Sequence, residues 1–244
     1  MIPVKVLGIV GSPHRYGNTT FMLEQALDAA QEAGASVELV HLLDYDVRPC
    51  LGCLRCVGRC VQDDGMPALA TKLLEAQGII AASPVYFGTM SAQLKIFVDR
   101  TRVLRHNEFS LANKVFGAIS VAGRRNGGQE TTLIEMITAF MRHGVLVVNN
   151  GPGTSQYGGT GWAGPPGEAG DDEWGIVTCR GVGRRVTEVA QIVQTGMRAL
   201  AYKPHYEFSG VQGTYQELRR QLASSEGQAR PGLIRESVAG GNGE

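Results

Sequence analysis

The order of strand-like and helix-like segments constrains the fold of this 244-residue chain more than any other feature. Short apolar runs rich in β-branched residues alternate with stretches whose apolar residues recur every three or four positions. Strands connected through helices pair in parallel, and the helices cover both faces of the sheet. The length allows one large domain and an appendage. The sequence therefore predicts a doubly wound α/β domain.

The elements fall into five strand–helix pairs followed by a separate C-terminal part. The predicted strands are Val4–Val10, Ser36–His41, Gly78–Ala82, Lys114–Val121 and Val145–Val148. The predicted helices are Asn18–Ala33, Pro67–Ala76, Ser91–Leu104, Glu130–Arg142 and Thr178–Tyr202. We expect a core domain over residues 1–202 and a C-terminal extension over residues 203–244, with one short helix at Thr214–Ala223.

The composition narrows the classes of protein that fit. Apolar residues make up 43% of the chain, enough for a sizeable core. Lys+Arg and Asp+Glu number 23 each, whereas a nucleic-acid-binding protein normally has a basic surface. The chain shows no secretory pattern and no apolar run near the roughly 20 residues that span a bilayer. We therefore expect a soluble cytoplasmic protein that binds neither nucleic acid nor membrane.

Three segments are expected to form one ligand site. In a doubly wound sheet, ligands bind beyond the carboxyl ends of the strands, at the point where the strand order reverses. The segments that follow the first, third and fourth predicted strands are Gly11–Thr20, Ser83–Thr89 and Gly123–Gly128. The topology therefore predicts that these three segments converge.

The segment Gly11–Thr20 has the composition of a phosphate-binding loop. Its small residues permit a tight turn, and the free N–H groups at the start of the following helix attract an anion. It has neither the Walker GK[ST] sequence nor the dinucleotide pattern GxGxxG, so it suits a monophosphate better than ATP. An ordinary turn capped by Asn18 or Thr19 is the alternative.

Two motifs, GSPHRYGNT in the first loop and SPVYFGTMSAQLKIFVDR from Ser83 to Arg100, resemble the NADPH-dependent FMN reductase family of the flavodoxin-like superfamily. The resemblance covers residues 3–200 and implies a flavodoxin-like, five-stranded parallel sheet that binds FMN. It implies that the FMN phosphate is held by Ser12, Arg15, Asn18, Thr19 and Thr20. It also implies that the isoalloxazine ring and ribityl chain are lined by Pro84, Val85, Tyr86, Phe87 and Gly88, with Gly123 closing the other side of the ring.

A cysteine-rich insertion at residues 48–65 carries four cysteines, at Cys50, Cys53, Cys56 and Cys60. The spacing C-x2-C-x2-C-x3-C also occurs in bacterial ferredoxins that bind [4Fe–4S] clusters. Thiolates suit iron–sulfur centres, whereas structural zinc sites usually draw two pairs of ligands from separate segments. The run therefore predicts a [4Fe–4S] cluster, with a cluster-free redox-active or structural loop as the alternative.

The same run resembles the compact cysteine motif of the iron–sulfur flavoproteins, a branch of the same reductase family. It lies in the same place, between the second predicted strand and the second helix. That branch usually has a longer gap before its fourth cysteine than the three residues that precede Cys60 here. In two-cluster ferredoxins the fourth cysteine of this spacing ligates the other cluster. Cys60 is therefore the ligand that the spacing supports least, and Cys179 is a remote substitute.

These observations predict an iron–sulfur flavoprotein that passes electrons between a [4Fe–4S] cluster and FMN to a quinone, O2 or peroxide. Ferredoxin and NAD(P)H are the expected donors, and no side chain is required as a catalytic acid or base. The resemblance implies a homodimer or homotetramer, in which Asn149–Trp174 and the tail from Lys203 form interface or lid elements. One alternative is a cluster-free NAD(P)H:FMN, quinone or azo reductase. The other is a non-catalytic, flavodoxin-like electron carrier.

Overall fold

The computed structural model describes residues 2–53, 55–56, 59–165 and 167–202. Its strands are β1 (Lys5–Val10), β2 (Ser36–His41), β3 (Gly78–Tyr86), β4 (Thr89–Met90), β5 (Val115–Ala122), β6 (Leu146–Val147) and β7 (Gly159–Trp162). Its α-helices are α1 (Asn18–Glu32), α2 (Met66–Glu75), α3 (Ala92–Arg100), α4 (Arg102–His106), α5 (Gln129–Met141) and α6 (Glu173–Ala199). The predicted extension over residues 203–244, with its helix Thr214–Ala223, lies outside the described residues.

The main sheet is parallel and has the strand order β2-β1-β3-β5-β6. This is the order of a flavodoxin-like doubly wound sheet, so the predicted fold class is confirmed. The order reverses between β1 and β3, which pair in parallel from Val6 with Gly78 to Val10 with Ala82. A ligand site is therefore expected beyond the carboxyl ends of these two strands.

Helices cover both faces of the sheet because successive residues of a strand point to opposite sides. Leu7 of β1 packs on one face in a buried cluster with residues of α2, α3 and α5. Its neighbour Val6 packs on the other face with residues of α1 and α6. Helices α1 and α6 approach closely because Gly183 has no side chain, and a Cβ atom there would collide with the backbone oxygen of Ala26.

The sheet edge beyond β5 differs from the prediction. Only Leu146–Val147 of the predicted strand Val145–Val148 pairs with the start of β5. Farther along, β5 pairs with β7, which lies inside the predicted loop Asn149–Trp174. One edge position is thus divided between two short strands. The pattern missed β7 because its sequence, Gly-Thr-Gly-Trp, lacks the alternating apolar residues that mark a strand.

Strand β3 is longer than predicted. The prediction ended it at Ala82 because Ser83-Pro84 resembles the start of a loop. The strand continues to Tyr86 and forms an antiparallel hairpin with β4. Phe87 and Gly88 make the two-residue turn, with φ angles of 51° and 81°. Positive φ at both positions is the pattern of a type I′ turn.

Two helices also depart from the predicted bounds. The predicted helix Ser91–Leu104 is divided into α3 and α4 at Thr101, whose Oγ1 donates to Val98 O at 2.6 Å. Helix α6 begins at Glu173 rather than Thr178, because the Asp172 carboxylate caps it by accepting from Gly175 N at 2.9 Å. Among the described residues, no helix has both the length and the apolar character needed to cross a membrane.

Candidate functional site

Three loops meet at the carboxyl edge of the sheet, beyond β1, β3 and β5. Ser91 joins two of them, because its hydroxyl donates to Gly11 O at 2.5 Å and its N–H donates to Ser83 Oγ at 2.9 Å. Thr131 Oγ1 donates to Gly88 O at 3.1 Å and ties the β3–β4 turn to the start of α5. The segments that follow β1, β3 and β5 therefore come together, as the topology predicted.

The first turn of α1 has the character of an anion site. Its N-cap residue, Gly17, makes no side-chain hydrogen bond to the helix, and its first turn contains no acidic residue. Ser12 is buried and its Oγ accepts from His14 N at 3.1 Å. Thr20 Oγ1 donates to Arg15 O at 2.8 Å, which folds the loop back onto the helix. The N–H groups in the first turn of this 15-residue helix are therefore available to an anion.

Asn18, a predicted phosphate ligand, serves a structural role in this geometry. Its Nδ2 donates to Pro165 O at 2.9 Å, and its Oδ1 accepts from Gly167 N at 2.8 Å. Both ends of the side-chain amide are therefore engaged with the segment that follows β7. In this structure Asn18 fixes that segment against the start of α1, and its role as a phosphate ligand stays a prediction.

Arg15, the predicted cationic ligand, is paired with Asp44. Hydrogen bonding within this pair lowers the pKa of Asp44 and raises the pKa of Arg15. Both side chains are more than 40% exposed, at 42% and 44%. Because exposed ion pairs contribute little, the Arg15 guanidinium can exchange Asp44 for an incoming anion.

The segment Pro84–Gly88 presents aromatic side chains beside the anion site. Pro84 is buried at the end of β3, whereas Tyr86 is 41% exposed and Phe87 is fully exposed. A bulky residue at positive φ is strained, and such strain is common at ligand sites. Gly123 is exposed at the end of β5. The exposed rings of Tyr86 and Phe87 offer apolar surface at this edge of the sheet.

The cysteine loop, residues 49–63, is attached to the domain by a buried ion pair. Arg100 Nη1 lies 2.5 Å from Asp64 Oδ2, and the two side chains are 1% and 0% exposed. The Asp64 carboxylate also accepts from Met66 N and Arg48 N, at 3.1 and 3.2 Å. Burial would raise the pKa of Asp64, but the hydrogen bonds from Arg100, Met66 and Arg48 outweigh it and lower the pKa. The pair therefore joins both ends of the loop.

The four thiols of the cysteine loop are free and differ in exposure. Cys50 and Cys53 are exposed, whereas Cys56 and Cys60 are partly buried. Burial raises the pKa of Cys56, Arg102 lowers it, and the other three cysteines raise it further, so the four groups interact electrostatically. Within the described part of the chain, no three His, Cys, Asp or Glu side chains are arranged to hold a metal ion. The four thiols therefore lie on one loop but are not arranged around a common point that could hold a metal ion.

Cys179 does not belong to this group. It is fully buried in the cluster formed by α1 and α6, whereas Cys56 packs against the cluster on the opposite face of the sheet. Burial raises the pKa of Cys179 to about 12. It is a core residue, and the structure does not support it as a substitute ligand.

The sequence patterns did not assign Asp64 or Arg100 to a site. Arg100 is only 3% exposed. The helix pattern did indicate that Arg100 is buried. It lies three residues after Phe97, which lies three after Leu94, so all three share the buried face of α3. A charge on the buried face of a helix requires a partner, and that partner is Asp64.

Comparisons with known proteins identify the family of this chain. The model of the NADPH-dependent FMN reductase family matches residues 4–157. An iron-sulfur flavoprotein from Methanocaldococcus jannaschii is 44% identical over 193 residues, which are 78% of this chain and 100% of the relative. Another, from Methanosarcina thermophila, is 37% identical over 78% of this chain and 97% of the relative.

The fold and the comparisons together define a flavin-dependent oxidoreductase. A WrbA-like flavodoxin protein from Agrobacterium tumefaciens shares the fold, with a TM-score of 0.56 and 22% identity over 78% of this chain and 98% of that structure. The chain belongs to the NADPH-dependent FMN reductase family, in its iron–sulfur flavoprotein branch. Family membership makes it an FMN-dependent oxidoreductase.

Proposed function

We propose that this protein binds FMN at the carboxyl edge of the sheet and a [4Fe–4S] cluster in the cysteine loop, and reduces a small acceptor such as a quinone, O2 or peroxide. The observation that carries this proposal is the position of α3. Ser91, at its start, bonds to the loops of the sheet edge, and Arg100, its last residue, bonds to the cysteine loop. The nine residues of α3 span about 13 Å. A rigid element therefore fixes the spacing of the two sites.

The residues at the sheet edge fit FMN. The uncapped first turn of α1, together with Ser12, Thr19 and Thr20, would hold the phosphate, and Arg15 would leave Asp44 to join them. When bound, FMN would supply hydride and single-electron transfer, and a cluster would supply single-electron transfer.

The ring would be oriented by the neighbouring apolar segment. Pro84, Val85 and Gly88 would line it with their backbone, and Tyr86 and Phe87 would give it flat apolar contact. Gly123, which is exposed just after β5, would close the other side of the ring. These contacts would exclude water from one face of the ring.

The cysteine loop supplies the donor set that a cluster needs. Cys50, Cys53, Cys56 and Cys60 offer four thiolates on one loop, and soft thiolate ligands suit iron–sulfur centres. The thiols interact electrostatically but are not yet arranged around one point. Metal binding would therefore complete the ligand geometry, as it does in other sites that form on metal binding.

The proposal also includes NAD(P)H or ferredoxin as electron donor and a homo-oligomeric state. NAD(P)H fits the family description, and a ferredoxin would supply single electrons to the cluster. A homodimer or homotetramer would cover Tyr16, Phe87 and Trp162, which are 90%, 110% and 53% exposed beside the site. Free exposed thiols suit a reducing cytoplasm.

Anaerobic purification followed by iron, sulfide and flavin assays tests the proposal. We expect about four irons and four sulfides beside one FMN per chain, as a [4Fe–4S] centre requires. Cys53→Ser is expected to lose iron, whereas the matched change Cys179→Ala keeps it. Iron-free protein with full FMN would contradict the cluster, and protein without flavin would contradict the FMN site.

A cluster-free NAD(P)H:FMN, quinone or azo reductase is the second candidate. It is favoured by the lack, among the described residues, of three side chains arranged for a metal. In this case NAD(P)H and a proton would reduce a quinone to a hydroquinone and leave NAD(P)+. Steady-state oxidation of NADPH by the Cys53→Ser variant at the rate of the wild type would support this candidate, and loss of turnover in that variant would exclude it.

A further inference from the structure

Arg100 is a buried cation that contacts both the base of the cysteine loop and one of its thiols. Its side chain is 1% exposed. Nη1 donates to Asp64 Oδ2 at 2.5 Å and to Arg48 O at 2.6 Å, and Nη2 donates to Asp64 Oδ1 at 3.0 Å. These bonds occupy the outer edge of the guanidinium in a bidentate arrangement. Arg100 therefore has a fixed orientation.

The other edge of the same guanidinium faces sulfur. Nη2 also donates to Cys60 Sγ at 3.4 Å. Nε shares this edge with Nη2, because a planar guanidinium points these two N–H groups in the same direction. Nε is buried and has no hydrogen-bond partner among the described residues. A buried donor without a partner is costly, so its N–H group points to a missing acceptor on the side of Cys60.

A sulfur atom of a bound cluster would be a suitable acceptor. Hydrogen bonds to the sulfur atoms of an iron–sulfur cluster are among the factors that set its reduction potential. They stabilise the added negative charge of the reduced state, and Asp64 offsets the net charge of Arg100. The effect of Arg100 on a cluster would therefore be local and would depend on its N–H groups rather than on net charge.

We propose that Arg100 positions Cys60 as the fourth ligand of the cluster and, through Nη2 and Nε, raises the reduction potential of that cluster. The inference rests on the proposed [4Fe–4S] cluster in the cysteine loop. It gives Cys60 a defined place despite the short gap that precedes it, because the thiol is held from outside the loop by a residue of α3. Cys60→Ser is accordingly expected to lower the iron content.

Arg100→Lys tests this role with the charge kept. Lysine retains a cation beside Asp64 but replaces the planar fork with one ammonium group on a flexible stem. Arg55→Lys, on the exposed part of the cysteine loop, is the matched control. Both variants and the wild type are reconstituted anaerobically. Iron, sulfide and FMN per chain, the rate of iron transfer to a chelator, and the potential of the cluster in an EPR-monitored redox titration are then measured.

We expect Arg100→Lys to release iron about tenfold faster than the wild type, as is typical when a residue that supports a metal ligand is changed. Its cluster should be reduced at a lower potential, its FMN content should be unchanged, and Arg55→Lys should match the wild type. An unchanged release rate and potential in Arg100→Lys would overturn the inference while leaving the cluster established. Wild-type protein that holds FMN but no iron would overturn the cluster itself, and the inference with it.

If Arg100→Lys does not fold, a second variant is measured in its place. The double change Arg100→Met with Asp64→Asn removes both buried charges together, which is tolerated far better than removing one. The side-chain amide introduced by Asp64→Asn keeps an acceptor for Met66 N. The same faster release and lower potential are expected, and wild-type behaviour would again overturn the role of Arg100.

Discussion

The two ends of α3 are built in different ways. At its start, the sheet edge is held by hydrogen bonds between loops that follow three neighbouring strands, through Ser91, Thr131 and Asn18. At its end, the cysteine loop is attached through a buried ion pair, Asp64–Arg100, and two of its thiols are exposed. The sheet edge is thus shaped by several hydrogen bonds of the fold, whereas the attachment of the described part of the cysteine loop includes a buried pair of opposite charges.

The difference indicates how stability is distributed. A neutral hydrogen bond contributes about 1 kcal/mol, so the sheet edge tolerates the loss of any one. Removing one partner of a buried ion pair costs about 3–5 kcal/mol, because the other charge is left buried without compensation. The cysteine loop should therefore respond strongly to a few substitutions and the sheet edge weakly to many.

Asp64→Ala is expected to have the largest effect. It leaves the Arg100 guanidinium buried and uncompensated, so the free energy of unfolding should fall by about 3–5 kcal/mol. Urea unfolding of the metal-free protein measures this change. Asp44→Ala removes a carboxylate from the exposed Arg15–Asp44 pair and should cause a much smaller loss. Equal losses in the two variants would contradict the distinction between a buried anchor and a surface pair.

Lowering the pH should weaken the support of the cysteine loop through His143. Thr101 follows Arg100 and its Oγ1 lies 2.8 Å from His143 Nε2. Thr101 Oγ1 donates to Val98 O, so His143 is the neutral tautomer that donates from Nε2. Burial, followed by the nearby Arg105 and Arg142, lowers the pKa of His143 to about 4.

The sign of this effect follows from the lowered pKa. The unfolded chain binds the proton near pH 6.5 and the folded protein only near pH 4. The neutral, buried His143 therefore contributes stability that is fully present above pH 6.5 and is lost as the pH falls through 4. The total loss in the free energy of unfolding is up to about 3 kcal/mol. His143→Gln should flatten the dependence of unfolding free energy on pH across this range. A curve for His143→Gln that matches the wild type would count against the assignment.

Gly183→Ala probes the side of the domain that supports the sheet-edge site. The added Cβ atom would collide with Ala26 O and separate α6 from α1, whose first turn is the proposed phosphate site. We expect a loss of about 1–3 kcal/mol and weaker FMN binding in a fluorescence titration. Gly196→Ala lies in open space on the same helix and should stabilise by up to about 1 kcal/mol. A Gly183→Ala protein as stable as Gly196→Ala would refute the close contact.

Phe87→Asn should have the smallest effect on stability and the opposite sign. Asparagine is favoured at the first position of a type I′ turn, so relief of strain should stabilise the flavin-free protein by about 1 kcal/mol. Loss of the exposed ring should weaken FMN binding. Phe87→Leu keeps a bulky residue at positive φ and should bring no gain in thermal stability. Equal melting temperatures for Phe87→Asn and Phe87→Leu would show that the turn is not strained.

The sequence predicted the parts of the molecule that depend on repeated patterns. The alternation of strands and helices gave the parallel sheet, and the sheet topology gave the convergence of the loops after β1, β3 and β5. It missed β7, because Gly159 and Gly161 hide the strand pattern, and it ended β3 too early, at Ala82. Both misses arise where pairing with β5 overrides local preference.

The site was predicted less completely, for a different reason. The loops and cysteines are local in sequence, whereas the Asp64–Arg100 pair joins residues 36 positions apart. Only the tertiary structure shows that Arg100 turns inward and that Asn18 is engaged with Gly167. The assignment of individual residues to FMN and to the cluster stays a prediction.

Removal of iron from reconstituted protein tests the central claim most directly. A chelator is added anaerobically, and FMN affinity and backbone hydrogen exchange are measured before and after. If the fold shapes the sheet edge and the metal shapes the loop, FMN affinity stays the same while amides of residues 49–63 lose protection. Loss of FMN together with the iron would show that the two sites form one cooperative unit and would contradict the account.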